Sequence, residues 1–132
     1  MKYICLGYID ESEWEGKSES ERNAFMDACF EYDDQLRAAG HFVGGEALQG
    51  PGSATMLRYH NGNVSVTDGP FTETKEYLGG IMMLEATDLN HAIQLMSRHP
   101  SIRMGGSWEI RPSADLSEFL RESELRRGVT QP

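Results

Sequence analysis

The run Gly79-Gly80-Ile81-Met82-Met83-Leu84-Glu85-Ala86 constrains this chain more than any other segment, because it is apolar at both parities. Successive side chains of a strand point to opposite faces. A strand that is apolar on both faces therefore reads as a central one with both sides covered. The rest of the chain must supply flanking strands and two covers.

Residues 2–8 read as a flanking strand, with Ile4, Leu6 and Tyr8 on one face and Tyr3, Cys5 and Gly7 on the other. Residues 9–17 are acidic, carry Trp14 and read as a loop. Ser18 and Glu21 have capping-box spacing, and a helix is expected from about residue 19 to 39. Phe25, Cys29, Tyr32, Leu36 and Ala39 form its apolar stripe, and Gly40 ends it. A strand bent by Gly44-Gly45 follows over residues 41–48, then a turn at 49–53. Residues 54–60 and 64–66 flank Asn61-Gly62, a strong hairpin signal. Asp68-Gly69-Pro70 breaks the returning strand, and residues 71–78 are polar, with room for a helical turn.

After the central strand, Asp88 caps a second helix with Leu89, Ala92, Ile93 and Met96 on its buried side, and Pro100 ends it. Residues 107–112 form the last strand, with Trp108 and Ile110 on one face and Glu109 and Arg111 on the other. A third helix, about 115–127, has only Leu116, Phe119 and Leu120 as an apolar cluster, and residues 128–132 fray. Setting the hairpin aside, the order is βαββαβ, a ferredoxin-like α+β domain over residues 1–112 with a helical extension over 113–132. Helices on one face leave the other face open. A second copy covering it predicts a homodimer.

The 132 residues suit one domain, with 39% hydrophobic and 25% charged side chains. The net charge of −9 disfavours nucleic acid and anionic membrane surfaces as partners. No run approaches the ~18 apolar residues of a membrane span, and the start is too quickly polar for a secretory signal. Cys5 and Cys29 form no Cys-x-x-Cys pair, which fits a reducing, cytoplasmic setting. The spacing of His41, His60, His91 and His99 argues for no metal site.

The stretch from Val64 through Asp68-Gly69-Pro70-Phe71 to Gly79-Gly80 resembles the signature of the DGPF family, a branch of the YCII-related proteins. The likeness extends to Met1-Lys2-Tyr3, Leu36-Arg37-Ala38-Ala39-Gly40, Gly44-Gly45-Glu46-Ala47-Leu48 and Glu109-Ile110-Arg111-Pro112, and covers roughly residues 1–112. The resemblance implies a dimeric α+β barrel. It implies no established activity, although a few YCII relatives are linked to degradation of chlorinated aromatics and many DGPF members are encoded beside extracytoplasmic-function sigma factors. A His–Asp pair is proposed as the active site of the YCII branch, with the His on the first helix and the Asp before a Pro. Those slots fall on Cys29 and on His99, before Pro100, in this chain.

The candidate residues each have two readings. Asp68 is an acid/base carboxylate at a cleft mouth, with Glu73 and Lys75 near it, or simple turn chemistry. Cys29 with His99 is an imidazole-activated thiolate, or Cys29 is a small apolar residue in the helix stripe. His41 and Glu46 flank glycines that let a ligand approach the backbone, or are the polar ends of a bulge. Arg58 and Arg111 bind a carboxylate inside the barrel, or pair across strands, Arg111 with Glu109.

Two functions follow. The first is a small-molecule enzyme for an aromatic or carboxylate-bearing compound, in which Asp68 or His41 moves a proton without an organic cofactor, as in a lyase or isomerase. The second is a non-catalytic ligand-binding or regulatory module associated with a sigma factor.

Overall fold

The computed structural model describes residues 1–69 and 75–129. Strand β1 runs Lys2–Asp10 and is followed directly by a short helix α1, Glu11–Glu15, where the acidic composition suggested a loop. A five-residue helix is too short to stand alone. Asp10 caps it by accepting from Ser12 N, and Arg22 straps it down by donating from Nε to Trp14 O at 3.0 Å.

The long helix α2 spans Glu19–Ala38. Its capping box is complete: Ser18 Oγ accepts from Glu21 N at 3.2 Å, and Glu21 Oε1 accepts from Ser18 N at 3.0 Å. Gly40, at φ 82°, turns the chain out of the helix. Strand β2, Phe42–Ala47, bulges between Phe42 and Gly44. After a single turn at Pro51–Ser53 come β3, Thr55–His60, and β4, Asn63–Asp68. They are joined by Asn61 and Gly62, both at positive φ as a two-residue hairpin turn requires.

Strand β5 is longer than its apolar run, Glu76–Glu85, so Glu76 to Leu78 are strand rather than the polar helical segment expected. The expectation for residues 71–74 lies outside the described residues. Helix α3, Leu89–Ser97, is capped by Asp88, whose Oδ1 accepts from His91 N at 2.9 Å. It buries Ala92 and Met96, while Leu89 and Ile93, expected inside, are exposed. Leu95 packs against the core in their place. Pro100 does not merely end this helix. It starts another, α4, Pro100–Arg103, capped by His99. Strand β6, Ser107–Pro112, and helix α5, Ser117–Arg127, complete the chain.

The main sheet has the order β2-β5-β1-β6, and each neighbouring pair is antiparallel. This is the ferredoxin-like α+β arrangement, with β5 paired on both sides as its apolar run demanded. β3 and β4 form a separate two-stranded ribbon. The core lies on one side of the sheet, where Tyr3, Cys5, Met82, Leu84 and Ala86 meet Leu36 of α2 and Ala92 and Met96 of α3. No described helix is long and apolar enough to cross a membrane.

Candidate functional site

Between the sheet and the middle of α2 lies a cleft of about 490 Å³, within the range of small-molecule sites. Its aromatic lining includes Trp14, Phe25, Phe30, Phe42 and Trp108. Trp14 is present because α1 folds back on α2, which sets its ring edge-on to Phe25 at 5.9 Å. Trp108 closes the sheet side over Gly7, where a Cβ would lie 2.9 Å from the indole. Only a glycine admits the ring there.

At one end of the cleft stands His99, 5% exposed. It is flanked by Trp108 at 5.0 Å and edge-on by Tyr32 at 5.8 Å between ring centroids. Tyr32 is anchored through its hydroxyl to Leu95 O. The hydrogen bonds around His99 define its tautomer. The backbone N–H of Ser101 donates to Nδ1 at 3.2 Å, so Nδ1 is an acceptor. Trp108 Nε1–H donates to Ser101 Oγ at 2.7 Å. That leaves the Ser101 hydroxyl proton for Nδ1, also 2.7 Å away. The neutral ring therefore carries its proton on Nε2.

Nε2–H faces Asp33 Oδ1 at 3.5 Å, too long for a good hydrogen bond. Oδ1 is sealed from solvent and accepts no hydrogen bond from the protein. A buried carboxylate oxygen left this way is costly, and it faces the Nε2–H of His99.

Cys29 sits one turn before Asp33 and also lines the cleft. Burial, and secondarily the charge of Asp33, pushes its thiol up to about 11, so it is no ready thiolate. At the other end, Asp10 takes hydrogen bonds from Ser12, which hold its carboxyl below the usual range, helped by Lys75 at 3.7 Å.

The structure brings Cys29 and His99 to the cleft and Glu46 to its rim, where register with Ile81 turns the carboxylate toward the open sheet face, and it leaves the other sequence candidates outside the described lining. Asp68 is exposed at the end of β4, where Gly69 N donates to Ala54 O and closes the ribbon. His41 gives Nδ1 to Glu85 O at 2.9 Å and meets His91 edge-on at 4.9 Å. Arg58 belongs to the ribbon, and Arg111 pairs with Glu109 on the sheet face away from the helices. Lys75 is exposed beside Asp10. Glu73 lies outside the described residues.

Sequence reasoning missed Asp33, Ser101 and the placing of Trp14. One signal for Asp33 was available: Phe25, Cys29 and Asp33 step by four along α2, which sets the carboxylate on the same helix face as two lining residues. Ser101 had none, because its role depends on α4 turning back toward β6.

A model of the YCII-related domain matches residues 1–117. An uncharacterised protein of Rhizobium meliloti (strain 1021) is 33% identical over 118 residues, covering 86% of this chain and 93% of that protein. Among solved structures, the 5-chloro-2-hydroxyhydroquinone dehydrochlorinase of Burkholderia phenoliruptrix AC1100, in complex with 2,5-dihydroxybenzoquinone, superposes with a TM-score of 0.53. That match covers 86% of this chain and 94% of the other at 14% identity, and so it speaks to the fold alone. With the family model spanning nearly the whole chain and a relative matched along almost its full length, this protein belongs to the YCII-related domain family.

Proposed function

We propose that the cleft is an active site for proton transfer on a flat, oxygen-bearing small molecule, with Asp33 as the base and His99 as a hydrogen-bond donor. The observation that carries this reading is the pinned tautomer. Two donors occupy His99 Nδ1, so Nε2–H is left as the ring's donor on the side of Asp33, whose Oδ1 is a buried acceptor without a hydrogen bond. Asp33 takes a proton from a substrate C–H or O–H. The electron pair stays on the substrate and collects on an oxygen that His99 Nε2–H stabilises. The pair then either returns the proton at another atom, an isomerisation, or expels a leaving group, an elimination. No organic cofactor is needed for either course. The elimination branch is also in keeping with the chemistry of the structural neighbour, a dehydrochlorinase.

The test is chloride release from chlorinated hydroquinones, comparing the native chain with Asp33→Asn. A fall of about 10²–10⁴ with the fold retained supports the reading. An unchanged rate in a folded Asp33→Asn protein overturns it and leaves the alternative, a binding or regulatory module.

We also propose that a second copy covers the open sheet face. Ile81 and Met83 are 38% and 37% exposed there, beside the half-buried Ile4 and Leu6. The ribbon pairs Leu57 with Val66 and Tyr59 with Val64, all exposed, and an isolated two-stranded ribbon is marginal in water. On α5, Phe119 and Leu120 are exposed as well, in keeping with a helix that packs beyond its own domain.

A further inference from the structure

Arg22 ties down one wall of the cleft. Helix α1 has five residues and buries none of them, and a helix so short does not persist on its own backbone bonds. Its last carbonyls need donors from outside. Arg22, near the start of α2, supplies them: Nε donates to Trp14 O at 3.0 Å and Nη2 to Glu15 O at 3.2 Å. Its guanidinium also lies 5.3 Å from the centroid of the Trp14 ring. The same strap sets Trp14 against Phe25, and both rings line the cleft. On its far side α1 is fitted to Gly105, where a Cβ would come within 3.2 Å of Glu13 Cγ.

Trp14 stands at the end of the cleft away from the proposed chemistry. It packs on Phe25, and Asp33 follows Phe25 on the same face of α2 after about 12 Å of helix. A flat molecule held at Asp33 and His99 and extending along the helix meets Trp14 at its outer end. An indole offers such a molecule a broad apolar surface, but only while α1 is folded onto α2. Arg22 itself is outside the cleft lining, so what it contributes to a ligand passes through Trp14.

We infer that Arg22 is a positioning residue and Trp14 a specificity residue of the cleft: the arginine fastens α1 so that the indole grips the outer end of a flat aromatic ligand. The inference rests on the reading of the cleft as the substrate site and adds what holds the substrate away from the reacting atoms. Loss of either residue acts on binding and leaves proton transfer at Asp33 in place. Lysine does not replace the arginine, because a flexible ammonium lacks the fixed fork that meets both carbonyls.

The experiment is titration calorimetry of the full chain with 4-ethylphenol, a flat neutral probe without a leaving group, alongside hydrogen exchange of the α1 amides. Trp14→Ala, Arg22→Gln and Arg22→Lys are each expected to weaken binding about fivefold or more, and Trp14→Phe to keep most of it. Both Arg22 variants are expected to speed exchange over residues 13–17 about tenfold while β1 and β5 exchange as in the native chain. In turnover of a chlorinated hydroquinone the same variants should raise KM and hold kcat within about twofold, unlike Asp33→Asn. Native binding by a folded Trp14→Ala protein overturns the inference, as does native exchange of α1 in Arg22→Gln. Exchange that rises equally through β1 and β5 marks a general loss of stability and overturns it too, and so does failure of the native chain to bind 4-ethylphenol. Binding that depends on Trp14 and Arg22 in a protein that releases no chloride upholds the inference while removing the proposed chemistry. Chloride release indifferent to both residues does the reverse.

Discussion

Asp33 and His99 face each other across 3.5 Å, the carboxylate on the long helix and the imidazole just before Pro100. The family resemblance assigns the imidazole to the helix and the carboxylate to the residue before the proline. Here the two chemical types have exchanged elements. The exchange matters because the residue before Pro100 is also the cap of α4, and a capping side chain must accept from the backbone. An imidazole in that position gives its Nδ1 lone pair to the helix and keeps its proton for the cleft.

Ser101 is expected to be the positioning residue for that arrangement. Ser101→Ala removes the hydroxyl that links Trp108 Nε1 to His99 Nδ1 and leaves the indole N–H without its partner. The expected cost is about 1–3 kcal/mol in thermal or denaturant unfolding. The imidazole ¹⁵N shifts of the native protein are expected to show the Nε2–H tautomer, and those of the variant a weaker preference for it, since the backbone N–H at position 101 still donates to Nδ1. A native ring protonated on Nδ1 instead would remove the basis for His99 as the donor.

Gly7→Ala is expected to disturb the cleft through its wall. The added methyl would lie 2.9 Å from the Trp108 ring, so the indole must shift. Overpacking of this kind costs about 1–3 kcal/mol. The shift should also change Trp108 fluorescence. Gly45→Ala is expected to be worse for folding and less specific, because its methyl meets the backbone oxygen of Ile81 at 2.8 Å, within the β2–β5 pairing. A Gly7→Ala protein with native stability and native emission would show that the wall gives way freely.

The cysteines are expected to be inert at neutral pH. Burial raises both thiols to about 11, with Asp33 adding to the effect on Cys29. The thiolate fraction at neutral pH is then on the order of 10⁻⁴. Alkylation by iodoacetamide in the folded protein should be slow at neutral pH and rise about tenfold per pH unit in the alkaline range. Cys29→Ala should leave chloride release unchanged. Fast alkylation of Cys29 at neutral pH would restore the thiolate reading.

Ile81→Glu is expected to yield a monomer. The residue lies on the open sheet face, paired with Leu6 and opposite Glu46. A charge placed there would be buried in the proposed two-fold interface. Light scattering after size exclusion reads the outcome: a native dimer and a monomeric variant are expected. A native chain that is monomeric at high concentration would show that the open face needs no second copy.

Much of the fold was legible because it depends on local periodicity. The alternation of β1, the two-sided apolar run of β5, the stripe and capping box of α2 and the Asn61-Gly62 turn each declare themselves within a few residues. The readings that failed were those in which another element supplied the stabilisation. Helix α1 exists because Arg22, from the next helix, holds it, and an acidic pentapeptide carries no sign of that. Leu89 and Ile93 looked buried because α3 was read without the sheet that sets its rotation, which turns Ala92, Leu95 and Met96 inward instead.

The sequence by itself determined the ferredoxin-like order of elements through local pattern, and its resemblance to a family pointed to two residues that line the cleft, Cys29 and His99. Only the tertiary structure decided that Asp33 and not Cys29 partners His99, that Ser101 orients the ring, and that Asp68, His41, Arg58 and Arg111 stand apart from the cleft. The physical reason is range. Strand and helix patterns are written by neighbours a few residues away, whereas a 3.5 Å contact between residues on α2 and before α4 depends on how two elements cross above a sheet. No spacing along the chain encodes that distance.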